Sequence, residues 1–462
     1  MKKIGIIGAG LSGLAAAALL SKKGYRVEIF EREAVVGGRA LTLDGRTLTK
    51  EDYLNRLQRF DMWIPFTEPS LDEIFKKGML DGYRFDLGFH MLGFVGTSPV
   101  LSVLKRFGKK IHLLSSRMGW MLSTGEVISR LPFGLSLLEK IAFVYLLMRL
   151  RLLPKSTIAG LQEVPFSTIL STYSKGKIRE IVDLSSRLIA TTNKSDRISS
   201  GEAIRVMRRS GLKVKPAGYP QGGIQSLAQA LAEIVLINNG KIHLLQKVDE
   251  IRIKNGRAKG LVVNGEEKPY DAVISTLPVQ DLFHIASENV FPPHYVRTLK
   301  NLEGTGSVCA YYALQKTDRL PLFKPFAFVE KGLDVEGNSA AGVIDFQTAD
   351  PHMGMSPQGC CLVQGYAICA PTEARDKSKV ALLKEVLDNK LNVLLPGFRE
   401  HLIFALYPTS YHLDGVAKTI HNIKPESLTP VENLYLAGDG VRSTGIGMNC
   451  AVDSALRLAD MV

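Results

Sequence analysis

Gly8, Gly10 and Gly13 follow the apolar run Lys3 to Ile7 and lead into Leu14-Ala-Ala-Ala-Ala-Leu-Leu. A Gly-x-Gly-x-x-Gly turn between a strand and a helix suits one task, holding a diphosphate against the main chain. Gly8 permits the tight turn, Gly10 lets phosphate oxygens approach the backbone, and Gly13 lets helix and strand pack closely. Leu11 and Ser12 open a helix whose unpaired N–H groups and positive dipole end point at the anion. Glu31 ends the alternating run Tyr25 to Phe30, 23 residues after Gly8, where a carboxylate can accept hydrogen bonds from ribose hydroxyls. Together these residues predict a dinucleotide site and leave FAD and NAD both open.

The next turn separates the two. After Glu31-Arg32-Glu33 the chain reads Val36-Gly37-Gly38-Arg39-Ala40-Leu41-Thr42. Two glycines bring the main chain close to the second phosphate and the ribityl chain, and Arg39 supplies a fixed cation there. An acid, a short spacer and Gly-Gly-Arg resemble the FAD superfamily that holds flavin amine oxidases, protoporphyrinogen oxidases and carotenoid desaturases. The resemblance implies non-covalent FAD, bound by Gly8, Gly10, Leu11, Ser12, Gly13, Glu31, Arg32, Gly38 and Arg39.

Later stretches extend the likeness. Tyr219-Pro220-Gln221-Gly222-Gly223 leads into a helix, then strand candidates and the buried run Asp271 to Pro278. By resemblance the backbone of Val248 lies against the adenine. Leu434-Tyr435-Leu436-Ala437-Gly438-Asp439 reads as a strand ending in Gly-Asp, and Gly445-Ile446-Gly447-Met448-Asn449 opens a last helix. The resemblance gives Gly438 and Asp439 to the ribityl or pyrophosphate oxygens. It sets Gly447, Met448 and Asn449 at the pyrimidine side of the flavin, where a helix dipole stabilises the negative charge of the reduced ring. Phe85-Asp86-Leu87-Gly88-Phe89-His90 resembles the family's turn near that ring. His90 is the candidate substrate-facing group; its other reading is a plain hydrogen bond to a backbone carbonyl.

To position these groups the chain must leave the nucleotide-binding unit and return to it twice. The fold class read from this order is α/β, a Rossmann-type FAD-binding domain with a discontinuous α+β substrate domain. The first takes 1–90, 216–278 and 425–462, the second 91–215 and 279–424. Residues 44–78 read as a helical insertion. No second Gly-x-Gly-x-x-Gly follows a strand, which sets the chain apart from flavoprotein reductases with a separate nicotinamide domain. The five cysteines, Cys309, Cys360, Cys361, Cys369 and Cys450, form no CxxC pair and match no flavin-attachment motif. Buried reduced thiols are expected, and neither a metal site nor a disulfide framework is.

The formal net charge of +13 is concentrated: residues 101–220 hold 21 Lys plus Arg against 7 Asp plus Glu. Such a field attracts anionic partners. The run Arg205 to Lys215 lacks the aromatic stacking pattern of a nucleic-acid surface, so no nucleic acid is expected. Leu135 to Pro154 is the most apolar part. Lys140, Arg149 and Arg151 interrupt it below the ~20-residue span a transmembrane helix needs. Three readings stay open for it: an interfacial helix resting on anionic lipid, a wall of an apolar tunnel with arginines snorkelling outward, or plain core. At the N-terminus two lysines precede a short apolar run ending in glycines, which reads as no signal peptide. The expectation is a cytoplasmic protein with peripheral association to an anionic membrane.

The wording of Tyr219 to Leu227 and Gly445 to Asn449 looks most like the phytoene-desaturase side of the superfamily. That implies a large apolar substrate, isoprenoid or polyene, and hydride transfer to flavin N5, in desaturation or flavin-assisted isomerisation. The alternative is a protoporphyrinogen- or amine-oxidase-type reaction. Amine oxidases commonly carry a lysine soon after a Gly-Ser-Val-like strand, whereas Gly306-Ser307-Val308 here meets none until Lys316. A non-catalytic flavin- or lipid-binding protein is the reading from another class.

Overall fold

The computed structural model describes residues 2–173, 175–209, 217–317 and 320–462. Five parallel strands form one sheet in the order Lys241–His243, Arg26–Phe30, Lys3–Ile7, Ala272–Ser275, Leu434–Leu436. In chain order this is 3-2-1-4-5, so the direction of winding reverses between Lys3–Ile7 and Ala272–Ser275. Ligands of such sheets bind at that reversal, beyond the carboxyl ends of the strands. Ile4, Ile6, Val27, Ile29 and Ile274 are buried without alternation, as a sheet covered on both faces requires. Helix Leu11–Lys22 covers one face together with helices Gln225–Ile237 and Met448–Met461. The antiparallel meander Val248–Lys254, Arg257–Val263 and Glu266–Pro269 covers the other.

A second, ten-stranded mixed sheet is built mostly from Gly306–Gln315, Pro325–Val335, Asn338–Asp345, Cys360–Cys369 and Leu402–Leu406. Helix Lys377–Leu394 packs on one of its faces. On the other lie helices Leu137–Leu152, Gly176–Ala190 and Ser200–Met207. The α/β reading with an α+β second unit therefore holds.

The stretch 44–78 is helical, as expected, only in part. Helices Lys50–Arg59 and Leu71–Lys76 flank two short strands, Met62–Trp63 and Thr67–Glu68. These strands pair with Thr409–Ser410 and Leu402–Leu406, extending the ten-stranded sheet. Pro65 and Pro69 explain the difference, since each removes a backbone donor and interrupts a helix.

The basic run is largely committed within the fold. Arg205 pairs with Glu202 at 3.1 Å, Arg209 pairs with Asp453 at 3.1 Å, and Arg208 donates to the Leu153 carbonyl. Lys213 and Lys215 lie outside the described residues. Among the described residues no helix is long and apolar enough to cross a membrane, and no group of three or more metal-ligating side chains gathers. Cys309, Cys361, Cys369 and Cys450 are buried free thiols, and Cys360 is partly exposed.

Candidate active site

The two glycine turns of the sequence meet. Gly37 N–H donates to the Ala9 carbonyl at 2.9 Å, and a Cβ on Gly38 would lie 3.4 Å from the Gly10 Cα. Gly38 has φ +57, a conformation glycine adopts without strain. At Gly13 a Cβ would fall 2.1 Å from the Gly8 carbonyl oxygen, so only glycine allows the first helix to start there. At Gly10 a Cβ would meet nothing within 4 Å, because that position opens on a cavity. Glu31 is buried at the end of its strand. Its Oε2 accepts from Ala9 N–H at 2.7 Å and its Oε1 from Glu33 N–H at 3.0 Å.

The C-terminal motif closes on the N-terminal one through an ion pair. Arg39 Nη2 donates to both carboxylate oxygens of Asp439 at 2.8 Å, and Nη1 donates to the His412 carbonyl at 3.0 Å. Asp439 also accepts from Gly415 N–H at 3.1 Å. Burial acts to raise the Asp439 carboxyl, but the charges of Arg39 and Lys424 with the Gly415 N–H outweigh it and hold it well below the usual carboxylate range. Arg39, expected as a cation for phosphate, thus spends much of its charge on Asp439.

A cavity of about 920 Å³ opens where the two glycine turns meet. Its wall includes Gly8, Gly10, Leu11, Ser12, Glu31, Arg32, Gly38, Arg39, Val248, Gly438, Asp439, Gly447 and Met448. It continues past His90 into an apolar section walled by Trp120, Phe143, Leu146, Leu150, Ile181 and Tyr366. Two of the singled-out residues stand outside that wall. Gly13 packs against Gly8. Asn449 is buried, with Oδ1 accepting from Ser98 Oγ at 2.7 Å and Nδ2 donating to the Gly93 carbonyl at 2.8 Å. Its side chain fastens the last helix to the 93–98 segment.

His90 lines the cavity, and its Nδ1 lies 2.8 Å from the Gly88 carbonyl oxygen, the backbone hydrogen bond of its second reading. Burial lowers its pKa and Arg39 adds to this, against Asp86 and the Gly88 carbonyl, so the imidazole is neutral at pH 7. The segment is held from several sides. Tyr311 OH donates to the Gly88 carbonyl at 2.7 Å, and Gln364 Nε2 donates to the His90 carbonyl at 3.1 Å. Phe89 stacks on Tyr366 with ring centroids 4.3 Å apart.

Asp86 was not singled out, yet it organises this region. Fully buried, it accepts from Thr42 Oγ1 at 2.6 Å, Tyr219 OH at 2.6 Å and Ile224 N–H at 3.2 Å. It so joins the Gly-Gly-Arg, Phe85–His90 and Tyr219–Gly223 segments. A lone acid between Phe85 and Leu87 was the signal, because buried carboxylates need several donors.

The cavity fits a dinucleotide on structural grounds. Helix Leu11–Lys22 and helix Met448–Met461 both begin at its wall with glycine caps, Gly10 and Gly447, and no side-chain cap bond. Apart from Asn449 N–H, which donates to the Ile446 carbonyl at 3.0 Å, the first N–H groups of both helices are left for one space, the condition for binding anionic groups.

The family model for flavin containing amine oxidoreductases matches residues 11–462. The 1-hydroxycarotenoid 3,4-desaturase of Flavobacterium sp. (strain P99-3) is 23% identical over 335 residues, 69% of this chain and 64% of that protein. The 4,4'-diapophytoene desaturase (4,4'-diaponeurosporene-forming) of Staphylococcus haemolyticus (strain JCSC1435) is 27% identical over 310 residues, 63% of this chain and 57% of that protein. The chain thus spans less than two thirds of the length of these curated relatives. An oxidoreductase from Methanosarcina mazei shares the fold with a TM-score of 0.72 at 20% identity, covering 99% of this chain and 100% of that one. Putrescine oxidase bound to putrescine does so with a TM-score of 0.66 at 14% identity, covering 100% and 98%.

Proposed function

The chain belongs to the flavin containing amine oxidoreductase family, and from that premise we propose that it is an FAD-dependent oxidoreductase acting on a large apolar, isoprenoid or polyene substrate. One observation carries this reading: a single cavity is lined both by the two glycine turns and by Trp120, Phe143, Leu146 and Leu150. We assign residues 1–90, 216–278 and 425–462 to the FAD-binding unit, and 91–215 with 279–424 to the substrate unit.

In this reading the N–H groups at Leu11 and Ser12 receive the diphosphate, and Glu31 receives the ribose. Val248 flanks the adenine with its backbone. Gly38 gives the ribityl chain room, Gly438 and Asp439 border it, and Arg32 stands beside Glu31 at the adenosine end. Gly447 and Met448 bring the last helix N-terminus to the flavin, which is held without a covalent bond. The bound flavin supplies a hydride acceptor. The chain's own residues do the rest. Trp120, Phe143, Leu146 and Leu150 exclude water and align an extended apolar chain. Phe89 and Tyr366 narrow its path, and neutral His90 presents its ring where that path reaches the nucleotide end.

Two further observations support the choice of substrate. Among the described residues Lys247 is the only lysine of the wall, beside Gln246 and Val248 at the nucleotide end. Lys316 is exposed beyond strand Gly306–Gln315, so it does not serve as the amine-oxidase lysine. The relatives named as desaturases act, by their names, on carotenoid-type molecules. An anionic membrane is the proposed source of substrate. Leu137, Leu138, Ile141, Tyr145, Met148 and Leu152 project to solvent from the helix whose other side lines the cavity, with Arg130, Arg151 and Lys155 exposed nearby.

Mass spectrometry of the purified protein tests the assignment. FAD together with a co-purifying isoprenoid or polyene is the expected result. FAD with only polar amines bound would reject the substrate class.

A further inference from the structure

Arg59, Phe60 and Asp61 join helix Lys50–Arg59 to strand Met62–Trp63, and all three lie in the cavity wall with Glu31 and Arg32. Arg59 Nη1 donates to Glu33 Oε2 at 2.8 Å. Glu33 N–H donates in turn to Glu31 Oε1, so Arg59 stands one carboxylate and one peptide away from the ribose acid. Arg32 reaches back, with Nη2 on the Arg59 carbonyl at 2.9 Å and its guanidinium 6.0 Å from the centre of the Phe60 ring.

Asp61 completes the span. Its φ of +54 turns the chain from helix to strand, a conformation Asp tolerates better than most residues. Its carbonyl accepts from Tyr411 N–H at 3.0 Å, and its carboxylate lies 3.9 Å from His412 Nε2. His412 is the residue whose carbonyl holds Arg39. The three residues therefore cross from the Glu31 side of the cavity to the Arg39–Asp439 side. The contacts of Arg59 and Arg32 fall beside Glu31 and Glu33 at the adenosine end, and Asp61 alone reaches toward Arg39–Asp439.

We propose that Arg59–Asp61 is a clasp over the adenosine-diphosphate half of the bound FAD, a binding element built by the 44–78 segment outside both glycine motifs. Arg59 and Arg32 offer cations to the adenosine-side phosphate, which FMN lacks, and Phe60 covers it from water. The side chains of both arginines are more than half exposed. Exposed ion pairs are weak, so the clasp can part from the nucleotide unit when FAD enters or leaves. The inference rests on the FAD reading above.

The test compares wild type, Arg59→Ala and Phe60→Ala for FAD release rate, FAD affinity and FMN affinity. FMN lacks the adenosine half. Each variant is expected to release FAD about tenfold faster and bind it about tenfold more weakly, the loss of one charge-assisted contact at Arg59 or of the ring's cover at Phe60. FMN affinity and the absorption spectrum of the bound flavin should not change. Unchanged FAD release and affinity would overturn the clasp, as would an equal loss for FMN and FAD. Should Arg59→Ala not fold, Phe60→Ala leaves the Arg59–Glu33 pair intact and decides alone. A wild type that binds no FAD would instead overturn the FAD reading.

Discussion

Asp345 is a carboxyl without a cation. It is fully buried, and accepts only from Gln347 N–H at 2.9 Å and Gln364 Nε2 at 3.2 Å. Burial pushes it up to about 7 from an ordinary 3.8, against those two hydrogen bonds. Between those values the folded chain holds a proton that the unfolded chain has lost, so stability falls as pH rises through that window. Asp345→Asn removes the titration, keeps one acceptor for Gln347 N–H and sets an amide where the protonated carboxyl faces Gln364. It should raise the thermal midpoint at pH 8 by ~2 °C or more and change it little at pH 4; equal shifts at both pH values would contradict the account. His90 is the second residue to test. His90→Ala should keep FAD and lower turnover by about tenfold, one transition-state hydrogen bond. Unchanged turnover would remove His90 from the site.

At the scale of elements, helix Leu137–Leu152 shows what a sequence can and cannot specify. Its apolar character was plain, but three readings stayed open because its charges do not settle on one face. The structure puts Phe143, Leu146, Leu147 and Leu150 toward the cavity and leaves Leu137, Leu138 and Ile141 exposed. Which side is covered depends on the ten-stranded sheet and helix Gly176–Ala190, both distant in sequence. The glycine turns were legible for the opposite reason. Their function is local backbone geometry, so the residues that perform it are adjacent. Asp86, Tyr219 and Gln364 went unread because their meaning lies in partners 40 to 270 residues away. If the outward face rests on lipid, Leu138→Glu with Ile141→Glu should reduce co-sedimentation with anionic liposomes by tenfold or more, given ~1.5–3 kcal/mol per buried leucine or isoleucine. Wild-type protein that sediments with no liposome would end the membrane proposal.

For the whole molecule, the account joins two units that the sequence presents as fragments. The nucleotide unit could be read from its start, its two returns and its final helix. The substrate unit could be outlined only by subtraction, since long strands such as Gly306–Gln315 and Cys360–Cys369 are buried at all but one end residue each and carry no alternation to mark their register. The central claim is that the continuous cavity brings an apolar substrate to the flavin. The most direct measurement is the visible spectrum of the FAD-loaded protein, mixed without oxygen with acyclic isoprenoids in anionic liposomes and, separately, with primary and secondary amines. The account predicts that flavin absorbance falls with an isoprenoid, as a product with one more double bond appears, and stays constant with the amines. Flavin that remains oxidised with every isoprenoid and is bleached by an amine would contradict it.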